Sequence, residues 1–134
     1  MAIVHFNATS VTPITDGVQI PVPQTPQGVG LATVISSVPS IPNTVQLSAS
    51  VGLRGDVGTG SVLFRIFRDG HEIYYSRQGI ESGFEQFALV TLQAYDNAAP
   101  GQHAYTLSIE KLTAGLTATV IGPINLSATV YSLT

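Results

Sequence analysis

Polar and apolar residues alternate along most of this chain. Between Thr44 and Leu53, Val45, Leu47, Ala49, Val51 and Leu53 fall on one side, and Gln46, Ser48 and Ser50 on the other. A period of two marks a strand with one buried face. Similar patterns predict strands over Gly30–Val38, Ser61–Arg68, His71–Tyr75, Phe84–Tyr95, Gln102–Leu112 and Leu116–Leu133. The strand Ser61–Arg68 is mostly apolar on both faces, which places it centrally in a sheet. In Phe84–Tyr95, the residues Phe84, Ala88, Val90, Leu92 and Ala94 share one face with Gln86, and Phe87, Leu89 and Tyr95 share the other. Tyr105, Leu107 and Ile109 oppose Thr106, Ser108 and Glu110 in the next strand. The last run, kinked at Gly122-Pro123, turns Leu116, Ala118, Val120, Ile124, Leu126, Ala128 and Val130 inward.

The segments between these runs carry turn chemistry. Arg54–Gly60 holds three glycines in seven residues and is expected to be a turn. Asp69-Gly70 is a two-residue hairpin signal, Arg77–Gly83 is expected to be a loop, and Asp96–Gly101 a second turn. No stretch has the period of an amphipathic helix. About eight to ten short strands joined by turns predict an all-β antiparallel sandwich, and their number and length favour a jelly roll. An immunoglobulin-like sandwich is the alternative, without its usual Cys and Trp markers.

Residues 1–28 differ from the rest. Pro13, Pro21, Pro23 and Pro26 keep this stretch out of a sheet interior, and only Val18-Gln19-Ile20 suggests a short edge strand. The expected organisation is an extended Pro-rich arm over 1–28 and a sandwich domain over 29–134. Such an arm packs along a neighbouring molecule or hugs its own surface, and its removal is expected to leave the domain folded.

Charge changes the picture most. The chain has 134 residues, only 5 of them Lys or Arg and 8 Asp or Glu, for a net charge of −3. Every one of these except Asp16 lies between Arg54 and Lys111. Surfaces of small soluble domains normally carry about 25–35% charged residues, against 10% for this whole chain. Much of the surface is therefore expected to meet another copy. Five basic residues cannot build the basic face of a nucleic-acid binder. No apolar run approaches the roughly 18 residues of a membrane-spanning helix, and the start of the chain lacks the pattern of a signal peptide. No nucleic acid, no membrane and no ordinary export are expected. With no cysteine there is no disulfide and no thiolate site.

Catalytic and metal patterns are weak. His5, His71 and His103 have no closely spaced histidine partner, so the ligand cluster of a cupin-type metal site is missing. Asp69-Gly70-His71-Glu72 offers ligand atoms, but its Asp-Gly is already explained by the hairpin. No serine sits in a Gly-x-Ser-x-Gly elbow. Glu81 and Glu85 form a close carboxylate pair that is expected to solvate a loop, and no row of aromatics marks a sugar-binding groove. Arg54-Gly55-Asp56 spells the tripeptide that integrins read, inside a glycine-rich turn. Asn7-Ala8-Thr9 and Asn125-Leu126-Ser127 match the glycosylation pattern, inert in a chain that is not exported. Neither an enzyme nor a bound cofactor or metal is expected. Arg65 and Arg68 alternate to opposite faces of an apolar strand. Arg65 calls for a carboxylate partner within or between subunits, from Glu81, Glu85 and Glu110, unless it is solvated on an outer face. Candidate subunit contacts, opposite the expected core, are Phe67, Phe87, Tyr95, Tyr131 and Leu133.

The block Val62-Leu63-Phe64-Arg65-Ile66-Phe67-Arg68-Asp69-Gly70, followed by Ile80-Glu81-Ser82-Gly83, Glu85-Gln86-Phe87 and Pro100-Gly101-Gln102-His103-Ala104-Tyr105-Thr106, resembles the exosporium protein C family of spore-forming bacilli. The resemblance runs from about Val29 to the C-terminus and more loosely over the first 28 residues. Its most specific part is Phe64-Arg65-Ile66-Phe67-Arg68-Asp69-Gly70; the rest is generic strand and turn. The resemblance implies a structural protein of the outer spore layer, exosporium or coat, made in the mother-cell cytoplasm. It also implies a jelly roll like those of tumour-necrosis-factor and C1q domains, associating as a homotrimer, sheet or fibre alongside other spore-surface proteins. It supplies no catalytic residue. The alternative is an adhesive jelly-roll module that binds carbohydrate or a host surface.

Overall fold

A computed structural model describes residues 2–134 as two antiparallel sheets packed face to face. The strands are β1 (Ile3–Thr12), β2 (Ile20–Pro21), β3 (Val29–Val38), β4 (Asn43–Val57), β5 (Thr59–Arg68), β6 (His71–Glu81), β7 (Phe87–Asp96), β8 (Gly101–Lys111) and β9 (Thr117–Ser132). One sheet has the order β1-β9-β4-β7, with the short β2 also on β9; the other has the order β3-β8-β5-β6. Apart from the β5–β6 hairpin, neighbours in each sheet are distant in sequence because the chain crosses between sheets, and with β2 set aside this is the jelly-roll order of eight strands. No helix among the described residues is long and apolar enough to cross a membrane.

The core follows the alternation. Val45, Leu47, Val51, Phe64, Ile66, Tyr105, Leu107, Ile109, Val120, Ile124, Leu126 and Val130 are all buried between the sheets. The inward face expected of the last strand is buried at every position. Asp69 and Gly70 both take positive φ (50° and 85°), the left-handed pair that joins β5 to β6 tightly. At Gly52 a Cβ would run into the Gly122 carbonyl, so only glycine lets β4 approach the irregular point of β9 there. The register of β4 on β9 shifts between Val51 and Leu53 at that place, which is the predicted kink at Gly122-Pro123.

Several sequence expectations are corrected. Arg54–Val57 continues β4 and only Gly58 separates it from β5, so the expected turn shrinks to one residue in a positive-φ conformation (83°). Arg77–Glu81 belongs to β6, not to a loop, and pairs with Thr59–Leu63. The turn lies over Ser82–Phe84, and β7 starts only at Phe87. Residues 3–12 form β1, a full strand paired with β9 from Tyr131 to Ile124. The first 28 residues therefore do not stand apart from the sandwich. Val22 is 5% exposed within the core, and Pro23 accepts a hydrogen bond from the Lys111 amide. The missed signal is β1's inward side, which carries His5, Asn7 and Thr9 where a core strand would carry apolar residues.

Those polar residues serve β3, the edge strand of the opposite sheet. Asn7 Nδ2 donates to the Ile35 carbonyl (2.9 Å), the Thr9 hydroxyl donates to the Thr33 carbonyl (2.7 Å), and His5 Nδ1 accepts from the Ser37 amide (3.4 Å). Side chains of one sheet edge thus satisfy backbone groups of the other that would otherwise invite another strand.

Candidate functional site

The two sheets present different outer faces. On the β1-β9-β4-β7 sheet, register places outward side chains in rows. Ala8, Ser127, Ser48 and Gln93 form one; Ser10, Asn125, Ser50 and Thr91 form the next. These small neutral residues line a shallow trough of about 610 Å3. Asn125 Nδ2 donates to Ser50 Oγ (3.1 Å) along its floor. On one side of the trough lies the row Phe6, Thr129, Gln46 and Tyr95, with Tyr131 beyond it. On the other side Leu89 and Phe87 continue down β7, beside an apolar depression of about 150 Å3 at Gly52, Ile121 and Pro123. Phe6, Phe87, Leu89 and Tyr95 are each about 60% exposed or more.

The charges on this sheet's face sit at one end. Arg54 Nε donates to Asp56 Oδ1 (2.7 Å), and the Thr119 hydroxyl donates to Asp56 Oδ2 (2.7 Å). Burial pushes the Asp56 carboxyl up, but the hydrogen bonds from Thr119 and Arg54 outweigh it and hold it below its usual range. Both ends of the Arg-Gly-Asp tripeptide are therefore engaged within a strand, unlike the presentation expected of a turn.

The outer face of the β3-β8-β5-β6 sheet is charged at its centre. Arg65 on β5 bonds Glu72 (2.8 Å) and pairs with Glu110 on β8. Glu110, one of the expected partners, is only 7% exposed. Glu81, at the far end of β6, forms an isolated backbone bridge with Glu85 across the turn before β7, and Glu72 takes the place expected of them. Arg77 stands next to Leu63 in the same array. The partnership of Arg65 with Glu72 follows from the Asp69-Gly70 hairpin, which folds β6 back beside β5.

At the hairpin end a second cluster ties the sheets together. Arg68 Nη1 donates to both carboxylate oxygens of Asp96, across from β5 to β7 (2.6 and 2.7 Å), and the buried Tyr105 hydroxyl donates to Asp96 Oδ2 (2.8 Å). Burial first, then the bond to Asp96, pushes the Tyr105 phenol up, and the bond to Asp96 raises Arg68 further. Beside it, Asp69 accepts from the Ala104 amide (2.8 Å) and from His103 Nδ1 (2.6 Å), while His103 Nε2 meets the Ala99 carbonyl (2.6 Å). Both ring nitrogens face acceptors, so only the imidazolium donates to both. The bond to Asp69, then that to Ala99, raises the His103 pKa; the Ala104 amide, then His103, lowers that of Asp69.

The expected contact residues divide between the faces. Phe87, Tyr95 and Tyr131 lie on the neutral face, and Leu133 follows the end of β9 at 55% exposure. Phe67 lies on the charged face, half-buried opposite Glu72 and Thr106. Sequence reasoning missed Phe6, and missed Asp96 as the partner of Arg68; Leu89, read on the face of Phe87 and Tyr95, joins them there. The placement of β1 on β9 reveals the first; the second depends on contact between sheets that no local pattern records. Among the described residues, no group of three His, Cys, Asp or Glu gathers as a metal site.

No protein-family model and no curated protein matches the chain. Among solved structures it is similar to dimeric latent PorU from Porphyromonas gingivalis, at 10% identity and a TM-score of 0.43. That match covers 93% of this chain and 14% of the other, so the chain spans about a seventh of the protein it resembles.

Proposed function

We propose that this chain is a structural protein that acts by associating with copies of itself through the outer face of the β1-β9-β4-β7 sheet. The observation that carries the reading is the absence of charge from the middle of that face, among residues as exposed as Phe6, Leu89 and Tyr95. Absence of charge and exposed aromatic side chains at the rim are two features a subunit contact shares. Each apolar Å2 covered contributes about 25 cal/mol, so several hundred Å2 per contact offset a sizeable part of the association entropy. The charged face, with its internal ion pairs, stays in water. Placement in the outer layer of a spore rests on the resemblance of the Phe64–Gly70 block to exosporium protein C, and the trimer on the same resemblance.

Light scattering across concentration tests association: a mass of several chains at micromolar protein supports it, and one chain at every concentration refutes it. Immunodetection in isolated spore surface layers tests the location. Signal confined to vegetative cells contradicts it.

A further inference from the structure

We propose that β1 is an exchangeable strand, seated on β9 of a second copy of this chain in the assembled protein. The inference rests on the self-association above and specifies how copies are linked. β1 adds no apolar residue to the core: Ile3, Val4, Phe6 and Val11 are all exposed, its inward positions include His5, Asn7 and Thr9, and its one buried residue is the polar Thr12 at its end. It is held by its backbone ladder on β9 and by the three hydrogen bonds to the edge of β3. Another copy's β1 satisfies every one of these bonds identically, so exchange changes no contact within the seat.

The connection to β2 allows it. Eight positions separate Thr12 from Ile20, yet their partners Ile124 and Val120 lie only four apart on β9. The surplus is folded into a turn over Pro13–Gly17, in which Asp16 is held at a φ of 63° and Ile14 is 61% exposed. Opening that turn relieves a strained residue and lets its five residues span up to about 17 Å in all. Downstream, Val18 and Val22 are fixed to β9 through Ile121 and Ala118, so the chain pivots at 13–17 while the sandwich stays closed. Exchange also carries Phe6, at the rim of the neutral face, onto the neighbouring molecule. One strand thereby joins two copies through both a seat and a face.

The test uses the full chain, which has no cysteine of its own. Asn7 and Ala128 are register partners on β1 and β9, and Ala128 is fully buried, so only a strand seated on β9 reaches it. A double variant, Asn7→Cys with Ala128→Cys, is oxidised and run on a denaturing, non-reducing gel. A second double variant, Ala8→Cys with Ser127→Cys, covers the adjacent rung, whose geometry alternates with the first. Circular dichroism checks that both fold. Exchange predicts that most oxidised protein runs as covalently linked chains, collapsing to one chain on reduction. Oxidised protein that runs as a single chain while light scattering still reports oligomers overturns exchange and leaves self-association standing. Single chains in both measurements remove both readings. Failure of both folded variants to oxidise means that β1 is not on β9 and also overturns exchange.

Discussion

The two outer faces of this sandwich are built by the same alternation, yet they solve different problems. On the β3-β8-β5-β6 face, Arg65 sits between Glu72 and Glu110, so its charge is paired within the single chain. On the β1-β9-β4-β7 face, Ser48, Ser50, Ser127 and Thr91 leave a neutral floor between Tyr95 and Leu89. Neither face is more of a β-sheet than the other. What separates them is the cost of removing water: high over paired charges, low over small hydroxyl groups and aromatic rims. The difference makes the neutral face the less costly one to cover.

The largest expected effect comes from moving charge between the faces. Ser127→Glu places a carboxylate in the trough, and Tyr75→Glu adds the same charge beside Arg65, its register partner. The first should weaken association more than tenfold, about 1.4 kcal/mol or more, and the second by less than twofold. Light scattering at matched concentrations reads both; equal effects would erase the distinction between faces.

Next is the tie between the sheets. Arg68→Ala leaves Asp96, 10% exposed at its side chain, with Tyr105 as its remaining partner. It should lower unfolding stability by about 2–4 kcal/mol in urea titration. Arg54→Ala breaks a pair within one strand and should cost less than about 1 kcal/mol.

A smaller effect follows pH. His103 has its pKa raised above 6.5 by folding, so its stabilisation is complete below that value and is lost as pH rises through the raised one. Asp69 has its pKa lowered below 3.8, so its contribution is present above that value and fades as pH falls through the lowered one. The cluster should be strongest between about pH 4 and 6.5. Thermal melts should fall on the alkaline side, and His103→Gln should flatten that limb. An unchanged limb would remove His103 from the account. Least of all, Ser36 is fully buried with no hydrogen-bond partner for its hydroxyl among the described residues. Ser36→Ala should shift stability by no more than about 0.5 kcal/mol, measured by the same melts.

How far the sequence reveals all this depends on what each feature rests on. Strands with one apolar side, such as β4 and β8, announce their buried face because burial selects every second residue. The Asp69-Gly70 turn is legible because few pairs take two positive φ angles. β1 is hidden because its inward residues bond the edge of β3 and leave no apolar stripe. The glycines at 55, 58 and 60 mimic a loop while β4 and β5 run almost through them. The Arg68–Asp96 tie and the grouping of Phe6 with Tyr95 join residues far apart in sequence, which only the crossing of the chain between sheets brings together. The neutrality of the trough, by contrast, is foreshadowed in the absence of charge between Asp16 and Arg54.

Tyr95 on the neutral face and Tyr75 on the charged face are each 67% exposed in the single chain. Hydroxyl-radical footprinting at concentrations where the protein is assembled compares them directly. Association through the neutral face leaves Tyr95 protected several-fold and Tyr75 reacting as a free surface residue; equal reactivity of the two, or protection of Tyr75 alone, would contradict it.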